Sequence, residues 1–337
     1  GYSRDSSSVA SVIDRTYTCN ENSKNILINH FNRKSDTIKT VYIGIDEEKF
    51  DPDKYNKDSM REKFGIVKDN VIGFICRITE QKRPMLFLDI IKELSSKRDD
   101  FEVIVAGDGN LLSEMKRKAE KLEISQLIHF CGSIENSEEF YSACDVTVNC
   151  SLKEGLALTS YESLSMGVPV VSSDVGGQKE LINDECGKII ECRQKEEDIY
   201  NCNYNQDEIN DFIAAINDIL DNKSAYKDNC RNRILSGFTT KQMIEAMEKE
   251  IKDVASNPDK QKIENARHLN DNIEITKELI TRALLGMQEK YKWECTLYRR
   301  EYRYDLRNSK LELISDKLWN YRWYRGLIKI YKKVRGR

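Results

Sequence analysis

Two glutamates eight positions apart, Glu154 and Glu162, flank "GLALTSY", where a loop turns into a helix. Two cations, Arg77 and Lys82, follow the strand-like run "VIGFIC" (71–76). A guanidinium and an ammonium at the C-terminal end of a strand suit a phosphate or diphosphate. Two solvated surface charges would look the same. Gly107-Asp108-Gly109 follows "FEVIVA" and lets the backbone pass close to a ligand. Leu112 stands where a dinucleotide fingerprint needs its third glycine, so the pair reads mainly as a tight turn. Thr159-Ser160-Tyr161-Glu162 fits a capping box, with the Thr159 hydroxyl on the third helical N–H and Glu162 reaching back to the cap. The same helix start makes an anion site, because Leu158, Thr159 and their neighbours present unpaired N–H groups with the positive end of the dipole behind them. Gly155 permits close approach in the preceding loop, and Glu154 either hangs over that mouth or is a plain surface glutamate.

These residues need elements to position them. From Val41 onward, β-rich runs alternate with amphipathic stretches, the pattern of βαβ units and a parallel sheet with helices on both faces. The fold class is α/β, Rossmann-like. Strands are expected at 71–76, 101–107, 127–132, 145–151, 168–173 and 187–192. Pro84 opens a helix whose Leu86, Ile90, Ile91 and Leu94 share a face. Further helices are expected over 111–122, 137–144, 207–220, 224–238 and 239–255, with a helical turn at 176–182. In such sheets ligands bind beyond the strands' carboxyl ends, where the candidate residues cluster.

The chain has 337 residues, 39% apolar and 33% charged, enough for one or two ordinary cores, and no apolar run approaches the length of a spanning helix. Its ten cysteines include no CxxC pair and several lie in strand patterns, which suits reduced thiols in a cytosolic protein. The three histidines are far apart, and none stands out as catalytic. The net charge of -3 hides an asymmetry: residues 291–337 carry fourteen Lys or Arg against five Asp or Glu, with all three tryptophans. Three segments follow. Residues 1–40 are too few for a core and read as the end of a preceding domain, 41–256 as the α/β domain, and 257–337 as a helical, basic, aromatic-rich tail. The tail either lies on an anionic membrane surface or packs as an extension; nucleic acid is disfavoured because the rest of the chain is acidic.

The order of "VYIGIDEEKF", Arg77…Lys82, "VAGDG", "FCGSI", "EGLALTSYE" and "GVPVVSSDVGG" resembles the C-terminal, nucleotide-sugar-binding half of a retaining GT-B glycosyltransferase of family 4, over residues 1–256. The resemblance implies that Glu154 contacts hydroxyls of the transferred sugar and Glu162 the ribose hydroxyls. It also implies that Arg77 and Lys82 hold the donor diphosphate, assisted by the loop Gly155, Leu156, Ala157, Leu158 and Thr159. Ser133 and Ile134 would line the base pocket, with Gly107 nearby. One departure is visible: Ile43-Gly44-Ile45-Asp46 lacks the asparagine that usually opens this linker motif.

The implied activity is transfer of a sugar from a nucleoside-diphosphate sugar, with retention, to a glycan or lipid-linked acceptor in cell-surface polysaccharide synthesis. It would take place in the cytoplasm or on the inner face of the cell membrane. Fixed cations and helix N–H groups stabilise a departing diphosphate without a metal. The one Asp-x-Asp string, Asp51-Pro52-Asp53, reads as a turn rather than a metal site. No cofactor is expected. The alternatives are a non-catalytic nucleotide-sugar-binding module or regulatory subunit, or another GT-B enzyme such as a phosphorylase or epimerase. With most of the first domain of such an enzyme missing, the chain is expected to bind donor and transfer little.

Overall fold

The computed structural model describes residues 12–262 together with Ala10, Glu264, Leu285 and Gly286. The basic tail at 291–337, and with it the choice between membrane surface and packed extension, lies outside the described residues. One compact unit is Arg15–Asn257; the other comprises Gly1–Asp14 and Pro258–Arg337. In the second, Asp259 accepts the N–H groups of Gln261 and Lys262, and Lys262 Nζ donates to the Asp14 carbonyl.

The unit Arg15–Asn257 opens with a two-stranded parallel sheet, β1 (Thr16–Thr18) and β2 (Ile38–Thr40), connected by α1 (Glu21–Phe31). After α2 (Lys57–Phe64), strands and helices alternate: β3 (Asn70–Ile75), α3 (Pro84–Ser95), β4 (Phe101–Ala106), α4 (Leu112–Lys121), β5 (Ile128–Gly132) and α5 (Ser137–Ala143). They continue as β6 (Val146–Asn149), α6 (Leu158–Ser165), β7 (Val170–Ser173), α7 (Gln178–Leu181) and β8 (Gly187–Ile190). Three helices close the unit: α8 (Gln206–Asp221), α9 (Lys223–Leu235) and α10 (Thr240–Ser256). Each expected strand and helix from residue 71 onward is present, with ends displaced by up to three residues.

Strands β3 to β8 form one six-stranded sheet in the order β5-β4-β3-β6-β7-β8, with every pair parallel. The chain therefore runs outward from β3 to β5, returns to lay β6 beside β3, and then runs outward the other way. The order reverses between β3 and β6, and the carboxyl ends of these strands are where sheets of this kind open a ligand crevice. This topology explains why β4 is buried along its whole length rather than alternating: it has strands on both sides and helices on both faces. Its one charged residue, Glu102, accepts the N–H groups of Val67 and Lys68 at 2.7 and 3.1 Å.

Helix α3 is buried beyond the single expected face. Met85, Phe87 and Leu88 are enclosed as well as Leu86, Ile90, Ile91 and Leu94, because α4 and α8 pack against it while it covers the sheet. Phe87 stacks on Phe74 of β3 at 4.3 Å. Truncating such a ring to Ala costs about 3–5 kcal/mol, a large part of a domain's net stability.

In the linker motif, Ile43 is partly buried against this core where the family pattern has a polar residue. Asp46 Oδ1 accepts the N–H groups of Glu48 and Lys49, and Asp51 caps the turn Pro52–Lys54. The nine described cysteines are free thiols. No helix among the described residues is long and apolar enough to cross a membrane.

Candidate functional site

The loop after β3 carries Arg77 and Lys82, and the loop after β6 carries Glu154, so both flank the crevice where the strand order reverses. Lys82 Nζ donates to Glu154 Oε1, in an ion pair whose side chains are 16% and 11% exposed. Arg77 is exposed, and its side chain makes no hydrogen bond or ion pair among the described residues. The site thus offers one committed cation and one uncommitted one. An anionic ligand would compete with Glu154 for Lys82 and meet no competitor at Arg77.

The loop bearing Glu154 is held from behind. Gly155 O accepts from Asn20 Nδ2 at 3.0 Å and from Gly177 N at 2.8 Å. Gly176 has φ +60, and a Cβ there would lie 2.1 Å from Glu154 O, so only glycine lets the two loops touch. Leu156 and Ala157 are buried under this contact, while Gly155 and Leu158 are exposed at the rim.

Helix α6 begins at Leu158 with Ala157 as its N-cap and no side-chain cap. The capping box expected at Thr159 and Glu162 does not form: Thr159 is already inside the helix, two positions past its cap residue. The register is set by the 154–157 loop, which delivers buried Leu156 and Ala157 before the first helical residue. Ser160 N is taken by Ala157 O at 2.9 Å, and the N–H groups of Leu158 and Thr159 lack a side-chain acceptor from their cap, which leaves them for an anion.

Glu162 points instead at α5. Its carboxylate accepts from Tyr141 OH at 2.8 Å and from Ser137 Oγ at 3.4 Å. Burial raises its pKa above the ordinary 4.5, against the opposing pull of these hydrogen bonds. Tyr141, fully buried, is pushed well up by the same burial and by the carboxylate it serves. The loop between β5 and α5 carries Ser133, exposed, and Ile134, half-buried against the core. Ser137 connects that loop's helix to Glu162. Two strands, β3 and β4, separate β5 from β6, so Ser133 and Ile134 stand away from Glu154.

Gly107 stands in the tight turn that the sequence indicates. At φ +125 a Cβ would stand 1.9 Å from Cys76 O, and Gly107 N donates to Gly132 O at 2.7 Å. The Gly-Asp-Gly turn is needed to pass the backbone of the loop after β3. Burial pushes the Cys76 thiol beneath it up to about 12.

Tyr141, Asn20 and Gly176 escaped the sequence reading as parts of the site. Gly176-Gly177 ends "GVPVVSSDVGG", and that glycine pair is the signal the sequence carries. Tyr141 looked like one more apolar residue of a short helix, and Asn20 lies 135 positions from the carbonyl it holds. Among the described residues no group of three or more His, Cys, Asp or Glu is placed to hold a metal ion.

Residues 56–201 match the family model described as Glycosyl transferases group 1. The chain is 29% identical over 209 residues to a UDP-Gal:alpha-D-GlcNAc-diphosphoundecaprenol alpha-1,3-galactosyltransferase of Escherichia coli, covering 60% of this chain and 50% of that protein. A glycosyltransferase from Rickettsia africae has the same fold, with TM-score 0.65 and 18% identity over 75% of this chain and 68% of that one. So does Anabaena Alr3699/HepE, solved in complex with UDP, with TM-score 0.61 and 17% identity over 71% and 64%. The fold is therefore the Rossmann-like parallel-sheet fold of GT-B glycosyltransferases, and residues 56–201 are similar to the group 1 glycosyltransferase domain. The chain spans about half the length of the curated relatives it matches, 50% and 47% for the first two.

Proposed function

We propose that this chain binds the donor of a glycosyltransferase that moves a sugar, with retention of configuration, from a nucleoside-diphosphate sugar to a glycan or lipid-linked acceptor of a cell-surface polysaccharide. The observation that carries the reading is the convergence of Arg77, Lys82, Glu154 and the uncapped start of α6 on one crevice at the sheet's reversal point. A diphosphate fits there because Arg77 is uncommitted, Lys82 can exchange Glu154 for a phosphate, and backbone N–H groups at the start of α6 face the same ends of the strands. In this reading Arg77 and Lys82 hold the diphosphate and stabilise the charge that develops as the anomeric C–O bond breaks. Glu154, released from Lys82 as the phosphates arrive, takes sugar hydroxyls, while the backbone from Gly155 to Thr159 closes on the ligand. Glu162 takes the ribose hydroxyls, and Ser133 with Ile134 flank the base.

The Escherichia coli relative's name specifies a UDP-galactose donor and a diphosphoundecaprenol-linked acceptor. That supports a uridine donor and a lipid-linked acceptor. The reaction needs no metal in this scheme, since the two cations and the helix supply the positive field. A thermal-shift and calorimetric panel of UDP, GDP, UDP-galactose and GDP-mannose tests the reading. Arg77→Ala should weaken the hit about tenfold or more without changing the unliganded melting temperature, the scale of one charge-assisted hydrogen bond. Absence of any hit, or an Arg77→Ala affinity equal to wild type, would sink the site assignment.

A further inference from the structure

The turn before α3 and the loop after β6 are joined at four consecutive points. Arg83 Nε donates to Cys150 O at 2.5 Å, Leu152 N donates to Gln81 O at 2.8 Å, and Gln81 Nε2 donates to Lys153 O at 2.7 Å. Lys82 then pairs with Glu154. The 150–154 segment has no helix or strand of its own and is held chiefly by residues 81–83; Ser151 N also bonds the neighbouring Asn149 side chain, and Lys153 Nζ pairs with Glu196.

Arg83 is unusual in two respects. It is 1% exposed, and its backbone is left-handed, at φ 48 and ψ 54, which an L side chain adopts only at a cost. Its guanidinium joins three elements: Cys150 O beyond β6, Ser173 Oγ at the end of β7 at 2.8 Å, and Glu208 of α8 at 2.8 Å. Glu208 is itself 1% exposed and also accepts from Arg193 N at 3.3 Å. A buried arginine with a buried carboxylate partner is rarely a gain in stability over an apolar pair, which leaves a requirement for geometry as its rationale.

We propose that Gln81 and Arg83 are positioning residues that set where the Glu154 carboxylate stands, and thereby the sugar-dependent part of donor affinity. The inference rests on the reading of Glu154 as a sugar contact. Neither side chain needs to touch the ligand. Arg83 fixes the start of the loop at Cys150, Gln81 fixes it at Leu152 and Lys153, and the next residue is Glu154. Loosening the grip shifts Glu154 within a loop still tied at Gly155, and leaves Arg77, Glu162 and the start of α6 untouched.

The test compares UDP with UDP-galactose, and GDP with GDP-mannose, by calorimetry on the full chain carrying Gln81→Ala or Arg83→Lys. Gln81→Ala keeps its main-chain bond to Leu152 and removes only the Lys153 contact, so it is the variant least prone to fold poorly. It should leave nucleoside-diphosphate affinity at the wild-type level or tighter, since Lys82 is freed. It should weaken the nucleotide sugar about fivefold, the scale of one hydrogen bond. Arg83→Lys should act in the same direction, more strongly, with a lower melting temperature. Equal weakening of nucleotide and nucleotide sugar, or no change in either, would overturn the inference while leaving the donor site standing. A wild-type chain that binds none of the four probes would instead overturn the donor-site reading, and this inference with it.

Discussion

Replacing Glu162 by Gln separates a ligand-binding carboxylate from a structural one. The amide keeps the shape and an acceptor for Tyr141 OH, which lies 2.8 Å from the carboxylate. What changes is the charge. A hydrogen bond to a charged group contributes about 1.5–3 kcal/mol against about 0.5–1.5 for a neutral pair, so the lost bond strength is about 1 kcal/mol. The easier desolvation of an amide offsets part of it, because burial already disfavours the ionised carboxyl. The unliganded melting temperature should therefore move by no more than about 2–4 °C. If the carboxylate holds two ribose hydroxyls, nucleotide affinity should fall about 10- to 100-fold. The pH dependence is a second signature. The folded-state pKa of Glu162 lies above its ordinary 4.5, so the native state binds the extra proton, and this residue's contribution to stability falls as pH rises through that interval. The stability of Glu162→Gln relative to wild type should improve over the same rise. Nucleotide affinity should climb with pH in wild type, as the acceptor carboxylate forms, and stay flat in the variant. Differential scanning fluorimetry and calorimetry from pH 4.5 to about 8 would read both. A variant that loses several kilocalories of stability yet binds nucleotide normally would refute the reasoning.

Gly176→Ala places a methyl group 2.1 Å from Glu154 O at a backbone φ of +60; it should cost at least about 2 kcal/mol in urea denaturation and weaken the nucleotide sugar, and an unchanged midpoint would contradict the contact. Glu208→Ala strands the Arg83 guanidinium in a buried site and should cost about 3–5 kcal/mol by the same measurement, whereas a loss below 1 would mean that water reaches the pair. For the basic tail, the full chain should pellet with vesicles containing anionic lipid more than a chain ending at Asn257, and equal pelleting would defeat a membrane role.

Much of the fold was legible because its signals are local. "FEVIVA" is a continuous apolar run, which in an α/β pattern means a strand covered on both faces, and Pro84 marks a helix start. The capping box was read wrongly for a physical reason: Thr159 and Glu162 have the right spacing, but the helix starts at Leu158, one residue before the supposed cap. Where a helix begins depends on what the preceding loop packs against, and Leu156 and Ala157 pack into the core. The Gly-Asp-Gly turn was similarly ambiguous, since closeness to a ligand and closeness to Cys76 O make the same demand for glycine.

By itself the sequence determined the alternation of strands and helices, the residues at the carboxyl ends of the strands, and the order of motifs that matches a nucleotide-sugar-binding domain. These depend on periodicity and residue type, which are properties of short windows. Only the tertiary structure decided the partners: Lys82 on Glu154, Tyr141 under Glu162, and Arg83 buried among Cys150, Ser173 and Glu208. Arg77, Lys82 and Arg83 are three cations in seven positions, and no local rule distinguishes the exposed one, the paired one and the buried one. The difference arises because the strand order reverses between β3 and β6, which brings two loops some 70 residues apart into one crevice.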